Sequence, residues 1–197
     1  MSLIPIFEQK DMLDHLAANT YKKAQFIFLH LTSCVKDLIS VDEVNAKTGV
    51  FIDTHKQFGF QTSDTKFYLV LHDKVAVSHL NEDEYMEDMT EVLTNANLKS
   101  RFTGRVSFYF KGENTSYVTL FDAMINADGQ VYINKEVGWT ERLESRRSFE
   151  EFTQKANDLL VSSVKSAFFT IKQWNYEQQF ETEDQIMESD KQIGFIV

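Results

Sequence analysis

The stretch QFGFQTSDTKFYLVLH at residues 57–72 decides the fold class. It holds two short runs rich in aromatic and β-branched residues, separated by the polar pair Ser63-Asp64. Runs of this kind, divided by polar residues, predict antiparallel strands joined by a short turn. The predicted meander comprises strands at Gly49–Asp53, Gln57–Thr62 and Lys66–His72, and the candidates to extend it are Val75, Val77 and His79.

A second group of strands is predicted further along the chain. The pair Asp128-Gly129 is a strong signal for a two-residue hairpin, because glycine accepts the positive φ angle that such a turn needs. Runs of apolar and aromatic residues lie on both sides of this pair and before it. They predict strands at Gly104–Phe110, Ser116–Ile125 and Gln130–Lys135.

Helical periodicity precedes the first strand group. Pro5 suits the first turn of a helix, and apolar residues follow it at helical spacing. In the segment 20–38 the apolar residues recur at intervals of three and four. This spacing favours a helix buried nearly all round, and the alternative is a strand at 25–32 set between helices.

Two further helices are predicted from capping signals. Asn81 caps a middle helix, with Glu84 placed to bond back to the cap, and this helix ends near Asn97. Ser148 and Glu151 form a second capping box that opens a long final helix with one continuous apolar face. The capping residues therefore place one helix between the two strand groups and one after them.

The order of these segments predicts an α+β fold. We expect an antiparallel, twisted sheet with N-terminal helices, a middle helix and a long C-terminal helix packed mainly on one face. No repeat or low-complexity linker divides the chain, so residues 1–180 are predicted to form a single domain. Residues 181–197 form an acidic C-terminal extension that ends in an apolar tail.

The composition limits the partners. Thirty acidic residues against twenty basic ones give a formal net charge of −10, which disfavours direct binding to nucleic acid or to an anionic membrane. Cys34 is the only cysteine, so it has no internal disulfide partner. No stretch has the length and apolarity of a signal peptide or a membrane span. We expect a cytoplasmic protein.

Signals for chemistry are sparse. The sequence has no phosphate-binding loop, no nucleophile elbow and no known metal-ligand spacing, so we predict no catalytic residue, no metal and no cofactor. A site built from His72, Asp73 and His79 can be imagined, but a structural role is the better interpretation of these residues. Cys34 lies in an apolar helical segment and is expected to be buried as a small hydrophobic residue.

Two sets of residues are candidates for binding. Aromatic residues near the end of the last helix and in the tail predict an interface if the helix extends beyond the sheet, and core packing is the alternative: Phe168, Phe169, Trp174, Tyr176, Phe180 and Phe195. Four arginines in two basic clusters are candidates to bind a phosphate or a carboxylate, or to balance the many acids: Arg101, Arg105, Arg146 and Arg147.

The run Glu91-Val92-Leu93-Thr94-Asn95-Ala96-Asn97, with the strands and final helix that follow it, resembles the class I type III secretion chaperones and the related sensory-regulator-like domains. The resemblance covers roughly residues 45–175 and rests on the order of elements. It implies a small acidic protein that dimerises and holds an unfolded segment of a client protein on apolar surface patches. No binding residue is carried over from the family.

These observations predict a non-catalytic protein-binding module, chaperone-like or regulatory, with a protein partner and a possible homodimer. One alternative is an acidic mimic of nucleic acid that occupies a DNA-binding protein, as antirestriction decoys do. Another is an enzyme or small-ligand binder with a pocket between the sheet and the long helix. That pocket would be lined by some of His72, His79, Arg101 and Arg105.

Overall fold

The computed structural model describes residues 4–40, 47–62, 64–77, 99, 101–112, 116–133 and 149–169. These residues contain helix α1 (Ile4–Ile39), a seven-stranded antiparallel sheet and helix α2 (149–169). The strands run in the order β1-β2-β3-β5-β6-β7, with β4 paired to β5. Their bounds are β1 Thr48–Asp53, β2 Gln57–Thr62, β3 Thr65–Leu71, β4 Ala76–Val77, β5 Phe102–Lys111, β6 Val118–Asn126 and β7 Val131–Ile133.

The α+β class and the antiparallel sheet predicted from the sequence are confirmed, and strands lie at all six predicted places, although residues 134–135 of the last predicted strand lie outside the described residues. The hairpin at Asp128-Gly129 joins β6 to β7, where Gly129 has a φ angle of +85°. The amide of Gly129 donates to the carbonyl of Asn126 at 3.0 Å and closes the turn. Only a residue without a Cβ adopts this backbone conformation without strain.

The N-terminal region forms one continuous helix, so the prediction of several helices there was wrong. Neither proline nor glycine occurs between Pro5 and Ile39, and nothing in that stretch breaks the helical hydrogen-bond ladder. The alternative of a strand at 25–32 is also wrong. Nor is α1 buried all round, because Phe26 and Leu29 are exposed on the side turned away from the core.

Other predictions lie outside the described residues. The predicted middle helix from Asn81 falls in residues 78–98, and His79 lies there too. The chain divides into two compact units, 1–157 and 158–197. Of the second unit the structure describes residues 158–169, which continue α2. Neither described helix has a stretch long and apolar enough to cross a lipid bilayer.

One face of the sheet carries the phenylalanine core. In β3 the side chains of Phe67, Leu69 and Leu71 are buried, and they alternate with more exposed residues. Strand pairing places Phe67 opposite Phe60 on one side and opposite Phe110 on the other. The rings of Phe60 and Phe67 stack with centroids 4.9 Å apart. This apolar layer is the inner face of the sheet.

Helix α1 lies on the inner face, and Gly104 of β5 lets it approach closely. A Cβ atom at position 104 would lie 2.6 Å from the Cβ of Ala24 and 3.2 Å from the carbonyl oxygen of Thr20. Ala24 is fully buried at this contact. At the other end of the helix, Lys36 pairs with Asp53 of β1 at 2.7 Å. The helix is therefore fixed to the sheet at both its middle and its end.

The first turns of α2 pack against α1 around His30. The imidazole of His30 lies 4.4 Å from the ring of Phe149, centroid to centroid. The hydroxyl of Thr153 donates to the Phe149 carbonyl, so Nε2 of His30 must be the donor in its 3.1 Å bond to Thr153 Oγ1. Burial lowers the pKa of His30, in keeping with a neutral ring. Cys34 is buried beside it, as predicted.

Gly104→Ala is expected to destabilise the protein, because the new methyl group would collide with Ala24 and the α1 backbone. We expect a loss of about 1–3 kcal/mol in the free energy of unfolding, the usual range for overpacking a core. Gly49→Ala is the matched control, since a Cβ at that strand position meets no atom within 4 Å. Urea denaturation of both variants tests this, and equal stabilities would contradict the close packing of α1 on β5.

Candidate functional site

The sheet face opposite α1, here called the outer face, carries a mixture of aromatic, basic and polar side chains. Along β3 the outer-face residues are Lys66, Tyr68 and Val70, which alternate with the buried phenylalanine and leucines. Along β5 they are Arg105, Ser107, Tyr109 and Lys111. Because side chains of a strand alternate between faces, this surface is physically separate from the apolar layer under α1.

An aromatic groove runs across the outer face. Tyr68 lies at its centre, with its ring 5.5 Å from that of Phe51 and 5.4 Å from that of Tyr117, centroid to centroid. Phe51 is 42% exposed and Tyr117 is 59% exposed. The groove encloses a pocket of about 470 Å³, lined by Phe51, Ile52, Gln57, Tyr68, Val70, Tyr109 and Tyr117. Large aromatic side chains with exposed rings are frequent at binding surfaces.

A β-bulge in β1 explains why Phe51 belongs to this groove. The pairing register of β1 with β2 shifts between Val50 and Ile52, so the extra residue Phe51 faces the groove. Gly59 lies directly beneath it, and a Cβ at that position would be 2.9 Å from Phe51 Cζ. The absence of a side chain at position 59 therefore lets the Phe51 ring rest on the strand.

One end of the groove is basic. A second pocket of about 270 Å³ is lined by Gln61, Asp64, Lys66, Tyr68, Lys111 and Gly112. Tyr68 lines both pockets, so the aromatic and basic parts are continuous. The ammonium of Lys66 lies 5.6 Å from the centroid of the Phe51 ring, and that of Lys111 lies 5.0 Å from the centroid of the Tyr117 ring. Both distances suit cation–π contacts.

A polar cluster lies next to the aromatic groove and is centred on Ser107, which is fully buried. The hydroxyl of Ser107 donates to Asp122, and it accepts from Nε of Arg105 at 3.0 Å. His72 Nε2 lies 2.8 Å from the same oxygen. Since the single proton of the hydroxyl is used on Asp122, Nε2 of His72 must carry a proton and donate. Arg105 also pairs with Asp122, at 3.2 Å.

The Ser107 cluster does not have the arrangement of a nucleophile and its base. A nucleophilic serine must transfer its proton to the histidine and present its oxygen to a substrate. Here the proton of Ser107 points to Asp122, His72 is a donor, and the oxygen has no exposed surface. The cluster is instead a hydrogen-bonded network on the outer face that joins β3, β5 and β6. Within the described segments, no group of three or more His, Cys, Asp or Glu residues could hold a metal ion.

The structure brings together some of the residues predicted to form a site. His72 and Arg105 meet in the Ser107 cluster, while Arg101 lies half-buried just before β5. Within the second unit Phe168 is exposed and Phe169 is 70% exposed, so their role as interface residues stays a prediction. The remaining candidates lie outside the described residues: Arg146, Arg147, Trp174, Tyr176, Phe180, Phe195 and, for the alternative pocket, His79.

Sequence reasoning missed the aromatic and basic residues of the groove. A signal was present, because lysine and tyrosine alternate with buried residues in the segment 66–71. The matching pattern in the segment 105–111 has arginine, tyrosine and lysine on the same face. Reading these patterns together requires the register between β3 and β5, which the sequence alone does not provide.

Comparison with protein-family models, with curated proteins and with solved structures gave no match to this chain.

The pKa of His72 is expected to shift in opposite directions when Arg105 and Asp122 are each neutralised. Burial lowers this pKa from 6.5, Arg105 lowers it further, and Asp122 and Asp73 oppose the shift. Arg105→Gln should therefore raise the pKa of His72, and Asp122→Asn should lower it. NMR titration of the His72 ring measures both values, and shifts in the same direction would contradict the geometry of the cluster.

The lowered pKa of His72 also makes the stability of the folded protein depend on pH. The unfolded chain takes up a proton at His72 near pH 6.5, whereas the folded chain does so at a lower pH. The stability linked to neutral His72 is thus complete above pH 6.5 and is lost as the pH falls from 6.5 through the pKa of the folded state.

Proposed function

We propose that this chain is a non-catalytic binding protein whose outer sheet face holds a segment of a partner protein. The observation that carries the proposal is the aromatic groove formed by Phe51, Tyr68 and Tyr117. Phe51 and Tyr117 are exposed and Tyr68 is half-buried between them, and the three rings are held in place by contacts with one another. Rigid aromatic side chains around a pocket can bury an apolar side chain of a partner at low cost in conformational entropy.

The charge of the chain favours a protein segment over a nucleic acid as the occupant. Binding of a polyanion depends on many cations that follow the phosphate backbone. The groove offers a local pair of lysines, Lys66 and Lys111, within a chain whose net charge is −10. Such a surface can complement one or two carboxylates of a peptide, while the chain as a whole repels a long polyanion.

A chaperone-like role and a homodimer are part of the same proposal. A pocket of about 470 Å³ is the size of a site for one or two side chains, which suits capture of an extended client segment. Phe169, 70% exposed within the second unit, supports self-association through the end of α2. A mimic of nucleic acid would need rows of carboxylates, and the two most acidic stretches of the sequence, 82–91 and 181–190, lie outside the described residues.

Selection from a random twelve-residue peptide library displayed on phage tests this proposal with the full chain. We expect enrichment of peptides with an aromatic or large aliphatic residue. Tyr68→Ser should weaken binding of the enriched peptides by about tenfold or more, the usual effect of removing a central aromatic contact. Tyr117→Ser provides a second test in case Tyr68→Ser does not fold, because Tyr117 is much more exposed.

Phe7→Ser is the matched control for these variants. It removes an exposed aromatic ring from α1, on the other side of the sheet. Peptide binding that is unchanged in Tyr68→Ser and Tyr117→Ser would overturn the assignment of the groove. Binding of oligothymidylate at the groove, with no enrichment of peptides, would replace the protein segment by single-stranded nucleic acid as the occupant.

A further inference from the structure

Lys66 of β3 and Lys111 of β5 are paired directly across the sheet. Like charges at directly opposed positions of an antiparallel pair are destabilising, because their Cβ atoms lie only about 5 Å apart. Both side chains lie on the outer face and line the same pocket. The adjoining outer-face pair, Tyr68 and Tyr109, is uncharged. The pairing of β3 with β5 therefore does not itself require two opposed lysines.

Among the described residues that line this pocket, two lysines stand against one acidic residue, Asp64, so the lining keeps a net positive charge. Asp64 lines the same pocket, but it forms no ion pair with Lys66 or Lys111 there. The described contacts of the two ammonium groups are those with the rings of Phe51 and Tyr117. A ring face orients an ammonium group but does not neutralise its charge. The pocket between the two lysines is therefore electrostatically suited to an anion.

We propose that this lysine pair binds an anionic group, a carboxylate or a phosphate ester, carried by the same protein segment that fills the aromatic groove. This inference rests on the proposed function and adds the chemistry of the segment. One anion that reaches both ammonium groups offsets the like charge of the pair and gains two charge-assisted hydrogen bonds.

The spacing of the two pockets determines the pattern of the segment. The aromatic pocket and the lysine pocket share Tyr68, and Lys66 lies two residues before Tyr68 on the same face of β3. Residues two apart on a strand are separated by roughly 6.6 Å along it. A segment that lies extended along β3 therefore presents an apolar residue to the aromatic pocket and an acidic or phosphorylated residue two positions away to the lysines.

The test uses one peptide from the display selection in three synthetic forms. The residue two positions from its anchoring apolar residue is Glu, phosphoserine or Gln. Fluorescence anisotropy measures the Kd of each form for the full chain. We expect the Glu or the phosphoserine form to bind about tenfold tighter than the Gln form, the effect of a pair of partly exposed ionic contacts. The tighter of the two anionic forms identifies the source of the anion.

Lys66→Gln and Lys111→Gln should each remove most of this preference and leave the affinity for the Gln form unchanged. Lys22→Gln is the matched control, because it lowers the net charge by the same amount at an exposed position on α1. Equal affinities of the three forms, or equal effects of the Lys22 and Lys66 variants, would overturn the inference while the aromatic groove remained intact. Loss of all peptide binding only in Tyr68→Ser would then show that the proposed function still holds.

Discussion

The close contact between α1 and β5 at Gly104 is the constraint on which the rest of the structure depends. It lets the helix backbone lie directly on the sheet, so that one face of the strands is buried under α1. Because side chains alternate along a strand, every second side chain then lies on the outer face. The position of the proposed binding surface thus follows from the position of the core, because covering one side of the sheet leaves the aromatic and basic residues on the opposite side.

The outer face combines fixed aromatic rings with a pair of lysines. Its aromatic rings are fixed by contacts with one another and by the bulge that turns Phe51 into the groove. Its lysines are placed next to each other by strand register, without a described carboxylate to pair them. The Ser107 cluster lies next to the groove on the same face, and its hydrogen bonds satisfy the buried hydroxyl of Ser107.

The sequence predicts the helices and strands better than it predicts how the strands pair with one another. Period-two alternation identifies β3 and β5, and the absence of proline and glycine after Pro5 explains the continuity of α1 once it is seen. Local pattern does not reveal that Lys66 lies opposite Lys111, since this depends on register between strands forty residues apart in sequence. Nor does it reveal the bulge at Phe51, which arises from pairing between β1 and β2.

One face of the sheet forms the core, and we propose that the other is a binding surface. Hydroxyl-radical footprinting of the full chain, read out by mass spectrometry, measures the difference in exposure between the two faces directly at aromatic residues. We expect rapid oxidation of Phe51 and Tyr117 and protection of Phe67, Phe108 and Phe121. Protection of Phe51 and Tyr117 to the same degree as these three phenylalanines would contradict this difference between the faces.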